Sequence, residues 1–360
     1  MSDLKLKQGL VIRGDSLSCP LAFALDTYGN CLIDCHHCFF RRLNRTWGQD
    51  LKPLDVELFR KQMENGLKNE HPKSMLAWAI RNRKTLRFGN RTDPFQWVER
   101  EYKVSGQALE ILAELKWSVV IQTRFTSVLF DYLPTLEKMI PNITIMPVIS
   151  PGLEDDWIVF EKKSPTPPLE RLKHLKFFQS IGMNVGVNGE PFIPGYHTLE
   201  QFEEALMLLK AYGIKSYNTY NLHLNDFVAK RLDAIGIDIE KIWYSNRDEV
   251  WRGILKELID LAKKYDIILG CPDFINSGNY IEDANTCCGV TVPNPCTFNM
   301  RTWKKLLMTT GKSKEEILTE TWDGVGNFDE GRKAMLGGFE NERFTMKDVM
   351  KLDETSGLVF

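Results

Sequence analysis

Between residues 21 and 222, six short runs rich in apolar and β-branched residues alternate with longer stretches of helical apolar spacing. This alternation constrains the fold more than any other feature of the chain. Leu21–Leu25, Thr85–Phe88, Ser118–Gln122, Ile143–Ile149, Met183–Val187 and Ser216–Leu222 read as strands. Asp55–Lys68, Gln107–Leu115, Leu133–Met139, Leu169–Ile181 and Leu199–Tyr212 read as helices, the last two ended by Gly182 and Gly213. A helix between each pair of strands returns the chain to its starting end, so the strands are expected to lie parallel. Six such units suit an α/β fold, a partial (β/α)6 TIM barrel whose chemistry sits in the loops at the strand C-termini.

The 360 residues, 43% of them apolar, can form one large barrel or two modest domains. We expect a barrel over 1–224 and a C-terminal, cysteine-containing extension over 225–360. In that extension Trp251–Tyr265 reads as a helix and Ile267–Leu269 as an extra strand, followed by loop-like sequence to about Thr297 and polar helical stretches. A net charge of −2, from 46 basic and 48 acidic residues, gives no overall attraction to phosphate and disfavours a long duplex footprint. Arg41, Arg42 and Arg45 form the nearest thing to a basic patch. Met1–Leu10 carries no apolar targeting core, and no later run approaches eighteen apolar residues, so the expectation is a cytoplasmic protein with no membrane partner.

Eight cysteines without an export signal read as metal ligands rather than disulfides. Cys31, Cys35 and Cys38 form a C-x3-C-x2-C group within eight residues, Cys271, Cys287, Cys288 and Cys296 form a second group, and Cys19 stands alone. Three thiolates at the first spacing can gather round one metal centre, and a cubane iron–sulfur cluster held by three cysteines leaves its fourth iron open. A zinc knuckle is the alternative, but it wants four ligands, and His36 and His37 fall inside the loop where their reach is poor.

The Cys31–Cys38 stretch resembles the loop of the radical S-adenosylmethionine (radical SAM) superfamily. That resemblance implies a [4Fe–4S] cluster with SAM on the open iron, reductive cleavage of SAM to a 5′-deoxyadenosyl radical, and a reductant such as a flavodoxin or ferredoxin. His37 stands at the position before the third cysteine that is usually aromatic in this family, and Phe39 directly follows that cysteine. Both are counted with the residues expected to face the cofactor. Phe88-Gly89-Asn90-Arg91-Thr92-Asp93-Pro94-Phe95-Gln96, Gln122-Thr123-Arg124-Phe125-Thr126, the run Leu169-Glu170-Arg171-Leu172 through Gly182 and Phe192-Ile193-Pro194-Gly195 are similar, in order and spacing, to segments of the spore photoproduct lyase-like group. The similarity covers roughly residues 20–225.

Read residue by residue, Gly89 lets backbone approach a ligand without a Cβ in the way, and Asn90, Thr92 and Asp93 offer polar groups at a strand end. Asp93 before Pro94 also suits an Asx-turn. Thr123 and Arg124 can meet a ribose or a carboxylate, Arg124 as a bidentate partner, with a salt bridge as its alternative. Ser150, Asn188, Glu190, Tyr217, Tyr220, Asn221 and His223 follow later strands and are candidates for the barrel mouth.

For the second cysteine group the spacing leaves three readings open. Cys271, Cys287 and Cys296 can hold an auxiliary [4Fe–4S] cluster, they can hold zinc, or Cys287 or Cys288 can act catalytically by donating a hydrogen atom to a substrate radical. The resemblance leans towards modification or repair of a nucleobase, and the charge balance narrows this to a nucleoside, nucleotide or single-stranded nucleic acid. The alternatives are a peptide or small-metabolite radical SAM modification using an auxiliary cluster, and a non-catalytic zinc-binding module.

Overall fold

The computed structural model describes residues 5–12, 21–40, 50–70, 72, 75–161, 164, 166–270, 286 and 288–295. Arg41, Arg42, Arg45, Cys19, Cys271, Cys287, Cys296 and the polar stretches after Thr297 lie outside the described residues. Nine strands are described: β1 Leu10–Ile12, β2 Phe23–Leu25, β3 Leu86–Phe88, β4 Val119–Thr123, β5 Ile143–Pro147, β6 Asn184–Val185, β7 Val187–Asn188, β8 Ser216–Asn218 and β9 Ile268–Gly270.

Strands β2 to β6 pair in parallel and in chain order, as do β7, β8 and β9, while β1 runs antiparallel to β2. A bridge between Val148 and Asn188 carries the order across the break between β6 and β7. Each strand lies beside the next in sequence and the winding does not reverse, which is barrel progression rather than the doubly wound order. Among the described residues β1 and β9 are not paired to each other, so the barrel is partial.

The expected strand over Met183–Val187 is interrupted at Gly186, where an added Cβ would lie 2.7 Å from Val290 Cγ1. Sequence analysis does not anticipate β1, which pairs antiparallel to β2 ahead of the repeating βα units. The expected strand at Ile267–Leu269 is present one residue later, and it extends the sheet in parallel through Tyr217 and Leu269.

The helices start and stop where local chemistry dictates. Asp55 caps the helix Val56–Lys68 through Leu58 N, and Thr198 forms a reciprocal capping box with Gln201 at the head of Leu199–Ala211. Gly182 and Gly213 adopt φ of +93° and +76° just past their helices, a conformation that costs glycine nothing. The helix expected from Gln107 begins at Val104, because Lys103 takes the left-handed turn.

The core fills the space between sheet and helices, and Val290 and Val292 join it from below. Residues 288–295 cross the N-terminal end of the barrel. The Cys288 carbonyl accepts from Ser216 Oγ at 3.5 Å, the Thr291 carbonyl from Asn184 Nδ2 at 3.1 Å, and Asn294 Nδ2 donates to the Asn82 carbonyl at 2.7 Å. Among the described residues, that crossing leaves the C-terminal end as the one with a cavity open to chemistry.

Candidate metal and cofactor site

The loop carrying Cys31, Cys35 and Cys38 leaves the C-terminal end of β2 and is held by residues far away in sequence. The Gln96 side chain, fully buried, accepts from Leu32 N at 2.9 Å and donates to the Asn30 carbonyl at 3.0 Å. Asn30 Oδ1 accepts from Cys31 N at 2.9 Å, and the Phe160 carbonyl accepts from His36 N at 3.2 Å. Asp34, at φ +60°, receives Arg231 Nη2 on its carboxylate at 2.8 Å and on its carbonyl at 3.1 Å.

Asp26, one residue beyond β2, organises the neighbouring loop. Its buried carboxylate accepts from the backbone N–H groups of Asn90, Arg91 and Thr92 at 3.1, 2.9 and 3.2 Å and from Arg91 Nε at 2.9 Å. Three successive amides turned on one carboxylate form an anion nest, which fixes the path of residues 89–92 beside the cysteines.

Cys31, Cys35 and Cys38 line one open cavity at the C-terminal end of the sheet. Burial pushes the Cys31 thiol up to about 11 and Cys35 well above its ordinary value, and the Cys38 thiolate would raise both further. Burial and then Arg124 push His37 down to about 4. A metal bound by these sulfurs would offset the cost of ionising them.

The spacing also separates one ion from a cluster. Ligand atoms of Cys35, His37 and Glu161 lie within 4.8 Å of one another, so His37 reaches further than its place in the loop suggests. Among the described residues the three sulfurs form no group that tight. Tetrahedral zinc with Zn–S bonds of about 2.3 Å would draw its sulfurs to about 3.8 Å. The Glu161 carboxylate is moreover engaged by two arginines, the half-buried Arg124 through Nε at 2.7 Å and the buried Arg171 through Nη1 at 3.1 Å. Three thiols set wider than a single-ion shell, all facing one cavity, fit a polynuclear iron–sulfur centre.

Of the other residues expected to face a cofactor, His37, Phe39, Gly89, Asn90, Thr92, Asp93, Thr123, Arg124 and Asn188 line this same cavity. Ser150 does not; it is buried with its carbonyl accepting from Leu153 N at 3.1 Å. Several of these side chains are already engaged in the fold. Asp93 makes the Asx-turn to Phe95 N at 3.0 Å and accepts from Thr123 Oγ1 and Arg124 N, both at 2.7 Å. Thr92 Oγ1 donates to the Tyr28 carbonyl at 3.2 Å. Their polar atoms tie the β3 loop to the end of β4 and shape the wall.

Across the cavity, Glu190, Tyr220, Asn221 and His223 form the opposite side. Glu190 Oε1 accepts from Asn218 Nδ2 at 2.8 Å, and the Phe39 and Tyr220 rings lie 4.6 and 5.2 Å from the His223 ring. Tyr217 points the other way, its hydroxyl donating to the Ile149 carbonyl at 3.1 Å. Cys288, expected as a hydrogen donor, is buried against Ser216 at the N-terminal end of β8 and is not brought to the cavity. Glu161, Asp26 and Arg231 belong to this region without having been legible in the sequence, while Gln96 and Arg171 fell inside segments read for their resemblance with no role assigned to either. No spacing marks a lone charged residue whose partner lies far along the chain.

The strand order and the cavity at the strand C-termini together define a partial α/β barrel. Solved structures of spore photoproduct lyase share it: one point mutant superposes with a TM-score of 0.55 at 12% identity, covering 74% of this chain and 80% of that one. A second mutant, with dinucleoside spore photoproduct, gives 0.54 at 11% identity, over 72% and 80%. No family model and no curated protein matches the sequence. Among the described residues no helix is long and apolar enough to cross a membrane.

Proposed function

We propose that this chain is a radical SAM enzyme in which Cys31, Cys35 and Cys38 hold a [4Fe–4S] cluster, acting on a planar heteroaromatic substrate of the nucleobase class. The observation that carries the reading is the convergence of three thiols on one cavity at the open end of a parallel barrel. When bound, the cluster and SAM supply the radical that abstracts a substrate hydrogen, with the electron coming from an external reductant.

The chain's own residues position, orient and exclude. Gly89 brings backbone to the cavity at φ +94°, and Asn90 and Arg124 present polar groups beside the cysteines. Phe39, Tyr220 and His223 supply ring faces on the opposite side, while Asn188, Glu190 and Asn221 supply donors and acceptors. Ring faces with amide and carboxylate groups at their edges suit stacking and edge recognition of a base, the way single-stranded nucleic acids are bound.

Anaerobically reconstituted protein should bind close to four iron and four sulfide per chain and release 5′-deoxyadenosine from SAM under reduction. Cys35→Ala should abolish both. Zinc without iron in the purified protein, or unchanged 5′-deoxyadenosine from Cys35→Ala, sinks the assignment. Tyr220→Ala should weaken nucleoside binding while leaving cluster content intact.

A further inference from the structure

Glu161 is an anomaly beside a cluster ligand. Its carboxylate, buried to 2% exposure, has an oxygen within 4.8 Å of the Cys35 sulfur, although a thiolate there would repel it. Two arginines make the placement tenable. Arg124 Nε reaches Glu161 Oε1 at 2.7 Å, and Arg171 Nη1 reaches Oε2 at 3.1 Å. Arg171 is itself buried to 1% and donates to the Val148 and Thr166 carbonyls and to Ser164 Oγ, so its position is fixed from several sides. Arg124 lines the cavity with the three cysteines.

The three side chains therefore make a unit of two positive charges and one negative charge beside Cys35, with Glu161 and Arg171 buried and Arg124 18% exposed at the cavity wall, where screening by solvent is weak. A buried salt bridge contributes little to stability compared with apolar packing of the same volume, because desolvation offsets the attraction. Packing alone gives no reason for a third charge. Its effect on a neighbouring redox centre is different, since fixed charges close to a metal act on the two oxidation states unequally.

We infer that Arg124, Glu161 and Arg171 set the reduction potential of the cluster at Cys31, Cys35 and Cys38, Glu161 lowering it and the arginines raising it. The inference rests on the cluster assignment proposed above. Reduction adds one electron to the cluster, so an adjacent carboxylate disfavours the reduced state and an adjacent guanidinium favours it. The three are positioning residues in an electrostatic sense, and none needs to touch substrate.

The test is an anaerobic potentiometric titration of the reconstituted full chain, followed by the electron paramagnetic resonance signal of the reduced cluster. Glu161→Gln keeps the shape and the hydrogen-bonding oxygen but removes the charge. It should raise the reduced-to-oxidised ratio at fixed potential at least tenfold, about 59 mV for a one-electron couple. Arg124→Gln should move the ratio as far in the opposite direction. Arg171→Gln should follow Arg124→Gln with a smaller shift, and it decides the sign if Arg124→Gln does not retain iron.

Opposite shifts support the inference, because a merely structural role would loosen the site in both variants and move both potentials the same way. Equal or absent shifts in variants that hold a full complement of iron and sulfide overturn it while leaving the cluster assignment standing. A wild-type protein that holds no iron and sulfide overturns both.

Discussion

The Arg231 guanidinium donates to the Asp34 carboxylate at 2.8 Å and to the Asp34 carbonyl at 3.1 Å, tying the helix Asp226–Asp233 to the middle of the cysteine loop. Asp34 sits at φ +60°, and the clamp holds that left-handed turn between Cys31 and Cys35. The loop is thus shaped from two sides, by Gln96 from the β3 connection and by Arg231 from beyond β8.

Arg231→Ala should cost about 0.5–1 kcal/mol in global stability, since the pair is partly exposed, and more in the metal loop than in the fold. Iron retained after gel filtration should fall markedly while the urea midpoint moves little. An iron content equal to wild type would remove the clamp from the account of the site.

Gly89→Ala tests the close approach at the end of β3. Gly89 has φ +94°, and an added Cβ would lie 2.5 Å from the Gln122 carbonyl oxygen and 2.9 Å from Pro94 Cδ. Backbone on one side and a proline ring on the other cannot move aside cheaply. The expected loss is about 1–3 kcal/mol by urea unfolding, with SAM binding weakened beyond what the stability loss explains.

Asn294→Ala probes the opposite end of the barrel. Asn294 Nδ2 donates to the Asn82 and Arg83 carbonyls at 2.7 and 3.1 Å, and its Oδ1 accepts from Lys84 Nζ at 3.2 Å. Truncation should destabilise the fold by about 1–3 kcal/mol, the cost of stranding partly buried polar groups. Iron content and reduction potential should stay at wild-type values, because the segment lies at the N-terminal end.

His174 gives a pH dependence away from the metal site. Burial depresses its folded pKa below the ordinary 6.5, with Glu170 opposing. The unfolded chain therefore takes up the proton first, so stability should fall as pH drops from 6.5 towards the folded value and be unaffected above it. His174→Asn, which can still meet Thr126 Oγ1, should flatten the urea midpoint against pH over that range. An unchanged slope would show that His174 titrates alike in both states.

The strands and helices of the barrel were legible because each is written locally. Apolar period marks β4 and β5, helical apolar spacing marks Pro168–Ser180 and Leu199–Ala211, and Gly182 and Gly213 end those two helices. The cysteine trio was legible for the same reason, its three thiols lying within eight residues. What escaped was whatever depends on two distant segments. Thr92, Asp93 and Thr123 look like ligand groups in sequence, yet the fold engages their oxygens in joining β3 to β4. Cys288 looks like a donor thiol, yet the return of residues 288–295 carries it to the N-terminal end.

By itself the sequence determined a parallel βα barrel and a three-thiol loop at its first strand, since hydrophobic period, capping and ligand spacing act over a few residues. Only tertiary structure decided which end of the barrel is open, which polar side chains remain to meet a ligand, and that Glu161 stands beside Cys35 between Arg124 and Arg171. The reason is that burial and charge pairing are properties of neighbours in space, and those neighbours come together only when the sheet closes.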